Sequence, residues 1–439
     1  MKKRFFVTRS GPIEERAFLV GVRLPSSTRE EEEHNIDELE LLAETAGALV
    51  VGKTIQSRTR IDGSTYIGVG KLAELQEQVY RNNVNLVIFD DDLSPAQARN
   101  IENRLNVNVI DRTELILDIF ARRARTKQAK IQVEIAQLNY ALPRLRRLWA
   151  HLSRQAGGIG TRGPGETQLE VDRRKVRERV ARLEKELDKI DRRSIQRRKR
   201  RSELFNVTLV GYTNAGKSSI MNRISGSTLM ESGNMFSTLD STTRKVTDRS
   251  GQTFLLTDTV GFIRKLPTHL VESFKATLLD VTEADLLMHI VDISSPQYKR
   301  KIEVVNTVLS SVLSGSYGDG DRVDVPTIVV FNKIDKIGED ELEGIRLFGY
   351  PGAVFTSAQT GEGIRELVDR IESAMKQEMV HTSLRVRADN GKAIALIEEC
   401  SIVETREVIE ESILFDIYVH RSRLPSILRQ SGVEVVGVD

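Results

Sequence analysis

Cysteine is almost missing from this 439-residue chain, since Cys400 is the only one. No intramolecular disulfide can form, which fits a reducing, cytoplasmic setting. One cysteine and six scattered histidines leave no cluster with metal-ligand spacing. No apolar run reaches the ~18 residues that a membrane-spanning helix needs, so no span is expected. Residues 1–7 have a basic start but neither a long apolar core nor a small-residue cleavage site, and do not read as a signal peptide. What remains is 39% hydrophobic and 29% charged, the composition of a soluble globular chain. Its length makes three domains the natural prior, with cores large enough to stand without staples.

Net charge is also scarce, at +2, but it is unevenly placed. Residues 121–203 hold 25 Lys and Arg against 10 Asp and Glu, a net of +15, leaving the rest of the chain at −13. Such asymmetry points to a polyanion partner, against the plainer reading of a solvated helical surface. The same segment carries two heptad seams. Ile131, Ile135, Leu138, Leu142, Leu145, Trp149 and Leu152 are spaced alternately by four and three residues, as are Val176, Val180, Leu183, Leu187 and Ile190. Between them lies GGIGTRGPGETQ, residues 157–168, whose glycines and proline break a helix. Two seams around one breaker predict an antiparallel helical hairpin with a kink at Pro143 and a first arm on the order of 40 Å. Because the seams are adjacent and can satisfy each other, a monomer is expected.

The whole chain reads as α/β in four parts. Residues 1–111 alternate strands (17–22, 48–53, 86–90, 107–110) with helices (37–46, 72–80, 95–105), a small α/β domain. Residues 112–203 are the basic hairpin. Residues 204–379 alternate buried strands and helices, as in FNVTLVG, TFLLTDT, LLMHIVD and TIVVFN, each running into a polar or glycine-containing motif. That pattern implies a mostly parallel sheet with ligands at the carboxyl ends of its strands. Residues 380–439 read as a small α+β domain.

Gly211-Tyr212-Thr213-Asn214-Ala215-Gly216-Lys217-Ser218 fits G-x-x-x-x-G-K-[ST] between a strand and a helix. Its backbone N–H groups can wrap phosphates, Lys217 can meet the β- and γ-phosphates, and the Ser218 hydroxyl can ligate Mg²⁺. Asn332-Lys333-Ile334-Asp335 follows the strand TIVVF about 115 residues later. A carboxylate there accepts two hydrogen bonds from guanine, whereas adenine offers no such donor pair, so GTP and GDP are the expected ligands. Ser357-Ala358-Gln359 fits the second guanine loop. Asp258-Thr259-Val260-Gly261 fits D-x-x-G, the Asp holding Mg²⁺ through water and the Gly261 N–H meeting the γ-phosphate. In Phe236-Ser237-Thr238-Leu239-Asp240, Thr238 is the candidate switch threonine, with Thr242 and Thr243 as rivals; the plainer reading is a Ser/Thr-rich surface loop. Lys217, Thr238 and Gly261 are thus the catalytic candidates.

Phe262 stands where a water-orienting Gln is found in Ras-like GTPases. Phe cannot orient water by hydrogen bonding, which predicts slow intrinsic hydrolysis and reliance on a partner; otherwise Phe262 simply packs and another residue positions the water. Asn214 can help ligate a monovalent cation such as K⁺, or makes a hydrogen bond within the loop. At the hairpin tip, the match to G-x-G-x-x-G lacks a preceding strand, so a dinucleotide site is rejected. Gly157, Gly158, Gly160 and Gly163 with Arg154 and Arg162 suit close approach to an RNA backbone, or form a passive turn.

Together, GGIGTRGPGETQLEVDRR, GYTNAGKSS, FSTLD, DTVGFI, NKID and SAQTGEGI resemble the HflX family of ribosome-associated GTPases, over most of the chain. The resemblance implies binding to the large ribosomal subunit, splitting of ribosomes under stress, hydrolysis stimulated by the ribosome, and a hairpin tip near the peptidyl-transferase centre. It assigns the Mg²⁺ ligands to Ser218 and Thr238. Ser241 stands where the family pattern leads one to expect proline. A GTPase of large-subunit assembly is the main alternative, and a GTP-regulated binding module with negligible turnover is another.

Overall fold

The computed structural model describes residues 14–145, 168–199, 204–226, 235–236, 238–247, 253–265, 280–313, 325–348, 350–377, 379–420 and 424–438. The chain falls into two compact units. The first comprises Met1–Lys189, Gly233–Leu239 and Lys265–Phe274; the second comprises Ile190–Ser232, Asp240–Arg264 and Lys275–Asp439.

The first unit is built on a four-stranded parallel sheet in the order β2-β1-β3-β4, from β1 (Arg16–Arg23), β2 (Leu49–Ser57), β3 (Leu86–Phe89) and β4 (Asn108–Asp111). Helices α1 (Arg29–Thr45), α2 (Val69–Arg81), α3 (Pro95–Leu105) and α4 (Arg112–Arg123) connect and flank it. The interior of β1 and all of β3 are buried, as a sheet covered on both faces requires. Local chemistry sets the helix starts. Thr28 and Ser94 accept from the backbone N–H of Glu31 and Gln97, whose side chains return the bond, and Pro95 opens α3. Val20, Val87, Phe89, Leu75 and Ile101 meet in one core.

A buried charge cluster closes the carboxyl end of this sheet. Arg112, 1% exposed, donates to Asp90 Oδ1 at 2.7 Å and to Glu38. Lys265, which groups with this unit, also bonds Asp90 Oδ2 at 2.9 Å and Asp91. The helix α5 (Lys127–Ala141) runs into a 3₁₀ turn at Leu142–Arg144 that holds Pro143, and α6 (Gln168–Lys199) follows; the expected seam residues Trp149 and Leu152 and the loop 157–167 lie outside the described residues. Ile131, Ile135, Leu138 and Leu145 are buried, as are Val176 and Leu183. Glu134 pairs with Arg179 and Lys127 with Glu186, so seven residues back along α5 match seven forward along α6. The two arms therefore run antiparallel, one heptad per step.

The second unit holds two sheets. The larger is six-stranded, ordered β10-β9-β8-β5-β7-β6: β5 (Asn206–Gly211), β6 (Thr242–Thr247), β7 (Thr253–Asp258), β8 (Leu286–Asp292), β9 (Thr327–Asn332) and β10 (Val354–Phe355). All pairs are parallel except β6 with β7. Helices α7 (Lys217–Ser225), α8 (Tyr298–Leu313), α9 (Glu339–Phe348) and α10 (Ile364–Gln377) accompany it. Leu209, Ile220, Leu256, Met288, Val330 and Ile371 share its main core. Strand order reverses about β5, the place where open α/β sheets bind ligands. The smaller sheet is antiparallel, ordered β12-β13-β11-β14: β11 (Met379–Arg387), β12 (Ser401–Ile409), β13 (Ser412–His420) and β14 (Val433–Val438). Leu384, Val386, Phe415 and Ile417 face a core shared with Ala393 and Ile397 of α11 (Gly391–Cys400) and Ile427 of α12 (Leu424–Leu428). Among the described residues, no helix is long and apolar enough to cross a membrane.

Arg112→Met should lower the unfolding free energy of the first unit by about 3 kcal/mol, because it strands buried carboxylates. Arg29→Ala, which removes an exposed pair with Glu33, should change it by no more than ~0.5 kcal/mol. Chemical denaturation of the two variants checks both values.

Candidate nucleotide site

The loop after β5 is shaped by backbone that only glycine accepts easily. Gly211 has φ +152°, and a Cβ there would lie 2.3 Å from the Ile290 carbonyl oxygen. Gly216 has φ +93°, and a Cβ there would meet Asn332 Nδ2 at 2.2 Å. Helix α7 starts directly afterwards, so the N–H groups of its first turn and its positive dipole end face the loop. Lys217 is buried, and its ammonium donates to the carbonyls of Gly211 at 3.2 Å and Tyr212 at 3.0 Å. Burial pushes its pKa down to about 8, partly opposed by the Asp258 carboxylate.

Asp258 ends β7 and accepts a hydrogen bond from Ser218 Oγ at 2.6 Å. A hydroxyl and a carboxylate at that spacing are the hard oxygen donors that suit Mg²⁺; these two residues would hold the ion, which would supply charge neutralisation for bound phosphates. Thr259 turns inward, its hydroxyl donating to Leu209 O at 2.7 Å, while Val260 is half-buried. The chain then folds back along the phosphate loop. Thr213 N donates to Phe262 O at 2.7 Å, Phe262 N to Gly211 O at 3.0 Å, and Arg264 N to Tyr212 Oη at 2.8 Å. Gly261 lies so close that a Cβ would sit 2.9 Å from both Lys217 Nζ and Thr213 Cα. The Phe262 ring is buried.

At the base end, Asn332 Nδ2 donates to Ala215 O at 2.9 Å and its Oδ1 accepts from Ala358 N at 3.0 Å. Lys333, at φ +66°, reaches the Asn214 carbonyl at 2.7 Å and Asp292 Oδ2 at 2.6 Å. Asn214 also takes a left-handed φ of +61°. Ile334 is buried in the 3₁₀ turn Ile334–Lys336. Ser357 Oγ donates to Asp335 Oδ1 at 2.5 Å, which fixes one carboxylate oxygen and leaves the group able to receive further donors. Gln359 is exposed in the same loop. Gly211, Asn214, Ala215, Gly216, Lys217, Ser218, Asp258, Gly261, Asn332, Lys333, Asp335, Ser357 and Ala358 thus form one connected constellation.

The 236–240 motif divides differently. Phe236 groups with the first unit, at φ +53°, its ring edge-on to Phe120 at 4.6 Å. Thr238 is half-buried and Leu239 buried in that same grouping, whereas Asp240 groups with the second unit. Ser237 lies outside the described residues, as do Arg154, Gly157, Gly158, Gly160, Arg162 and Gly163. The rival threonines Thr242 and Thr243 start β6, where Thr243 Oγ1 lies 3.1 Å from Thr257 Oγ1. They are strand residues rather than part of a surface loop. Sequence reasoning missed Asp292, the partner of Lys333; an acidic residue at the carboxyl end of a buried strand was the available signal. It also missed His289 on β8, 2% exposed. Burial, with the Lys217 charge, pushes its pKa down to about 4.

A parallel-rich sheet with a phosphate loop at its reversal point, D-x-x-G at the end of the adjacent strand and N-K-x-D tied to both makes this a P-loop GTPase. Three family models match in succession: GTP-binding GTPase N-terminal at residues 33–121, GTP-binding GTPase Middle Region at 123–201, and 50S ribosome-binding GTPase at 206–333. The chain is 42% identical to the GTPase HflX of Lacrimispora saccharolytica, over 93% of this chain and 94% of that one. Identity is 47% to the GTPase HflX of Flavobacterium psychrophilum (73% and 76% covered) and 40% to that of Escherichia coli (88% and 89%). A GTP-binding protein of Sulfolobus solfataricus, solved in complex with GDP, is 25% identical over 82% of this chain and 99% of that one, with a TM-score of 0.43. The chain belongs to the HflX family of GTPases.

Asp335→Asn should weaken GTP binding at least ~100-fold, since hydrogen bonds to a charged group contribute about 1.5–3 kcal/mol each; xanthosine triphosphate, with an acceptor where guanine has its amino group, should bind the variant better than GTP. Competition against a fluorescent nucleotide reads both. For His289, the unfolded chain takes up a proton as pH falls through about 6.5, whereas the folded chain resists until about 4. The unfolded state binds more protons in that window, so acid destabilises the fold. Between pH 7 and pH 5 this amounts to about 2 kcal/mol. His289→Gln should remove that share of the pH dependence in denaturation curves.

Proposed function

We propose that this chain binds the large ribosomal subunit in its GTP state and uses GTP to split or rescue ribosomes, with hydrolysis stimulated by the ribosome. The observation that carries the reading is the presence in one chain of a GTPase site and of the antiparallel helices α5 and α6 in a strongly basic segment. A slim arm with a net charge of +15 over residues 121–203 suits a polyanionic cleft, and phosphate contacts would dominate its affinity. The match to a family model described as a 50S ribosome-binding GTPase supports the same partner.

In this reading Lys217 and the N–H groups of the 211–218 loop hold the phosphates. Ser218, Thr238 and Asp258 would hold Mg²⁺, which would neutralise phosphate charge, and Asp335 with the 357–359 loop would select guanine. The Gly261 N–H meets the γ-phosphate, so GTP draws the D-x-x-G segment into an order that GDP does not support. GTP then needs only a higher affinity for the docking-competent state to drive the cycle. Phe262 offers no hydrogen bond to water, which makes intrinsic turnover slow and places the stimulus in the partner. Arg154, Arg162 and the tip glycines approach ribosomal RNA. Asn214 is the candidate ligand for K⁺.

GTP turnover should rise at least ~10-fold when intact ribosomes are added, with a fall in light scattering as subunits separate. Turnover that is fast without ribosomes and unchanged by them would overturn the partner-dependent mechanism. Stimulation by isolated large subunits without separation of intact ribosomes would instead favour a role in subunit assembly.

A further inference from the structure

Six histidines scattered along a sequence give no metal motif, but the fold brings one of them to two carboxylates. His381 on β11, Glu404 on β12 and Asp416 on β13 come from three neighbouring strands. Their donor atoms all lie within 4.8 Å of one another. We propose that these three side chains bind one divalent first-row transition ion, of the size and preference of Zn²⁺, on the face of the C-terminal sheet opposite its helices.

The register explains how they meet. His381 pairs with Tyr418 and Ser383 with Asp416, so His381 and Asp416 are diagonal neighbours on one face. Between β12 and β13 the pairing passes from Val403–Ile417 to Thr405–Asp416, and Glu404 is the extra residue of that bulge. His381 Nε2 is 3.1 Å from Asp416 Oδ1 and 3.6 Å from Glu404 Oε2. Ligands held at 2.0–2.1 Å in a tetrahedron stand about 3.3–3.4 Å apart, and the two observed separations bracket that edge. The carboxylates are also oriented from behind. Ser383 Oγ donates to Asp416 Oδ1 at 3.1 Å, and the Tyr418 hydroxyl bonds Glu404. The Tyr418 ring stacks on the His381 imidazole with centroids 4.5 Å apart. Ligands buttressed in this way are a regular feature of metal sites. One imidazole with two carboxylates favours Zn²⁺, Mn²⁺, Fe²⁺ or Co²⁺ over Mg²⁺ and Ca²⁺, which take all-oxygen sets. All three side chains keep some solvent exposure, between 28% and 42%, so an ion can enter and water can complete its shell. Bound there, it would tie β11, β12 and β13 together.

The plainer alternative is that His381 merely forms ion pairs with the two carboxylates, and the test separates the two. Untagged full-length protein, freed of metal with chelator and saturated with Mg²⁺ and GDP, is titrated with Zn²⁺ by calorimetry and with Co²⁺ by visible absorption. The expected result is one ion per chain with a ligand-field band from Co²⁺. Affinity should fall at least ~10-fold in His381→Ala and in Glu404→Gln, the latter at an exposed bulge where folding is not at stake. Cys400→Ser should bind as the parent does, and GTP turnover should be the same in all three variants. Absence of saturable binding, or binding undiminished in both ligand variants, would overturn the proposal.

Discussion

The nucleotide site depends on one buried amide. Asn332 reaches from the end of β9 to the phosphate loop through its Nδ2 and to the Ala358 loop through its Oδ1. It is 1% exposed, so its bond to the phosphate loop is shielded from water. The residue beside it in space must be glycine, because any side chain at position 216 would occupy the place of the amide. A motif usually thought of as reading the base thus also sets the distance between the base end and the phosphate end. Removing this amide would leave a buried carbonyl and a buried N–H without their partner, each worth about 1–3 kcal/mol in lost satisfaction.

Much of this was legible in the sequence because the site is made of short contiguous motifs, each at a strand end. The buried runs 205–211, 253–259, 286–292 and 327–332 read as strands, and the turn chemistry after each is local. What was not legible depended on pairing across the chain. Thr242 and Thr243 looked like part of a Ser/Thr-rich surface loop, yet they open an edge strand because its backbone finds β7 in antiparallel register. An exposed edge strand carries little hydrophobic signal. Asp292 shows its purpose only when Lys333 lies beside it. The His381, Glu404 and Asp416 group comes from three strands and a bulge, and no spacing along the chain encodes that. In the hairpin, by contrast, the heptad spacing carried the information, since a seam is a local property.

Charge is used in two different ways. At the buried sites each cation is matched by a specific anion: Arg112 by Asp90 and Glu38, Lys333 by Asp292. Along α5 and α6, Glu134 pairs with Arg179 and Lys127 with Glu186 across the seam. Those exposed pairs fix alignment more than stability. The surplus of positive charge in residues 121–203 acts at long range.

The backbone ladder between Gly211, Thr213 and Phe262 has a thermodynamic meaning of its own. Two such hydrogen bonds are worth about 1–3 kcal/mol together, the same scale on which one binding site commonly influences another. The 258–264 segment is therefore a latch of modest depth: firm enough to bias the phosphate loop, shallow enough for a ligand to lift. By reciprocity, anything that pulls this segment away and any nucleotide that needs it away must favour each other by an equal factor, with no further contact between them.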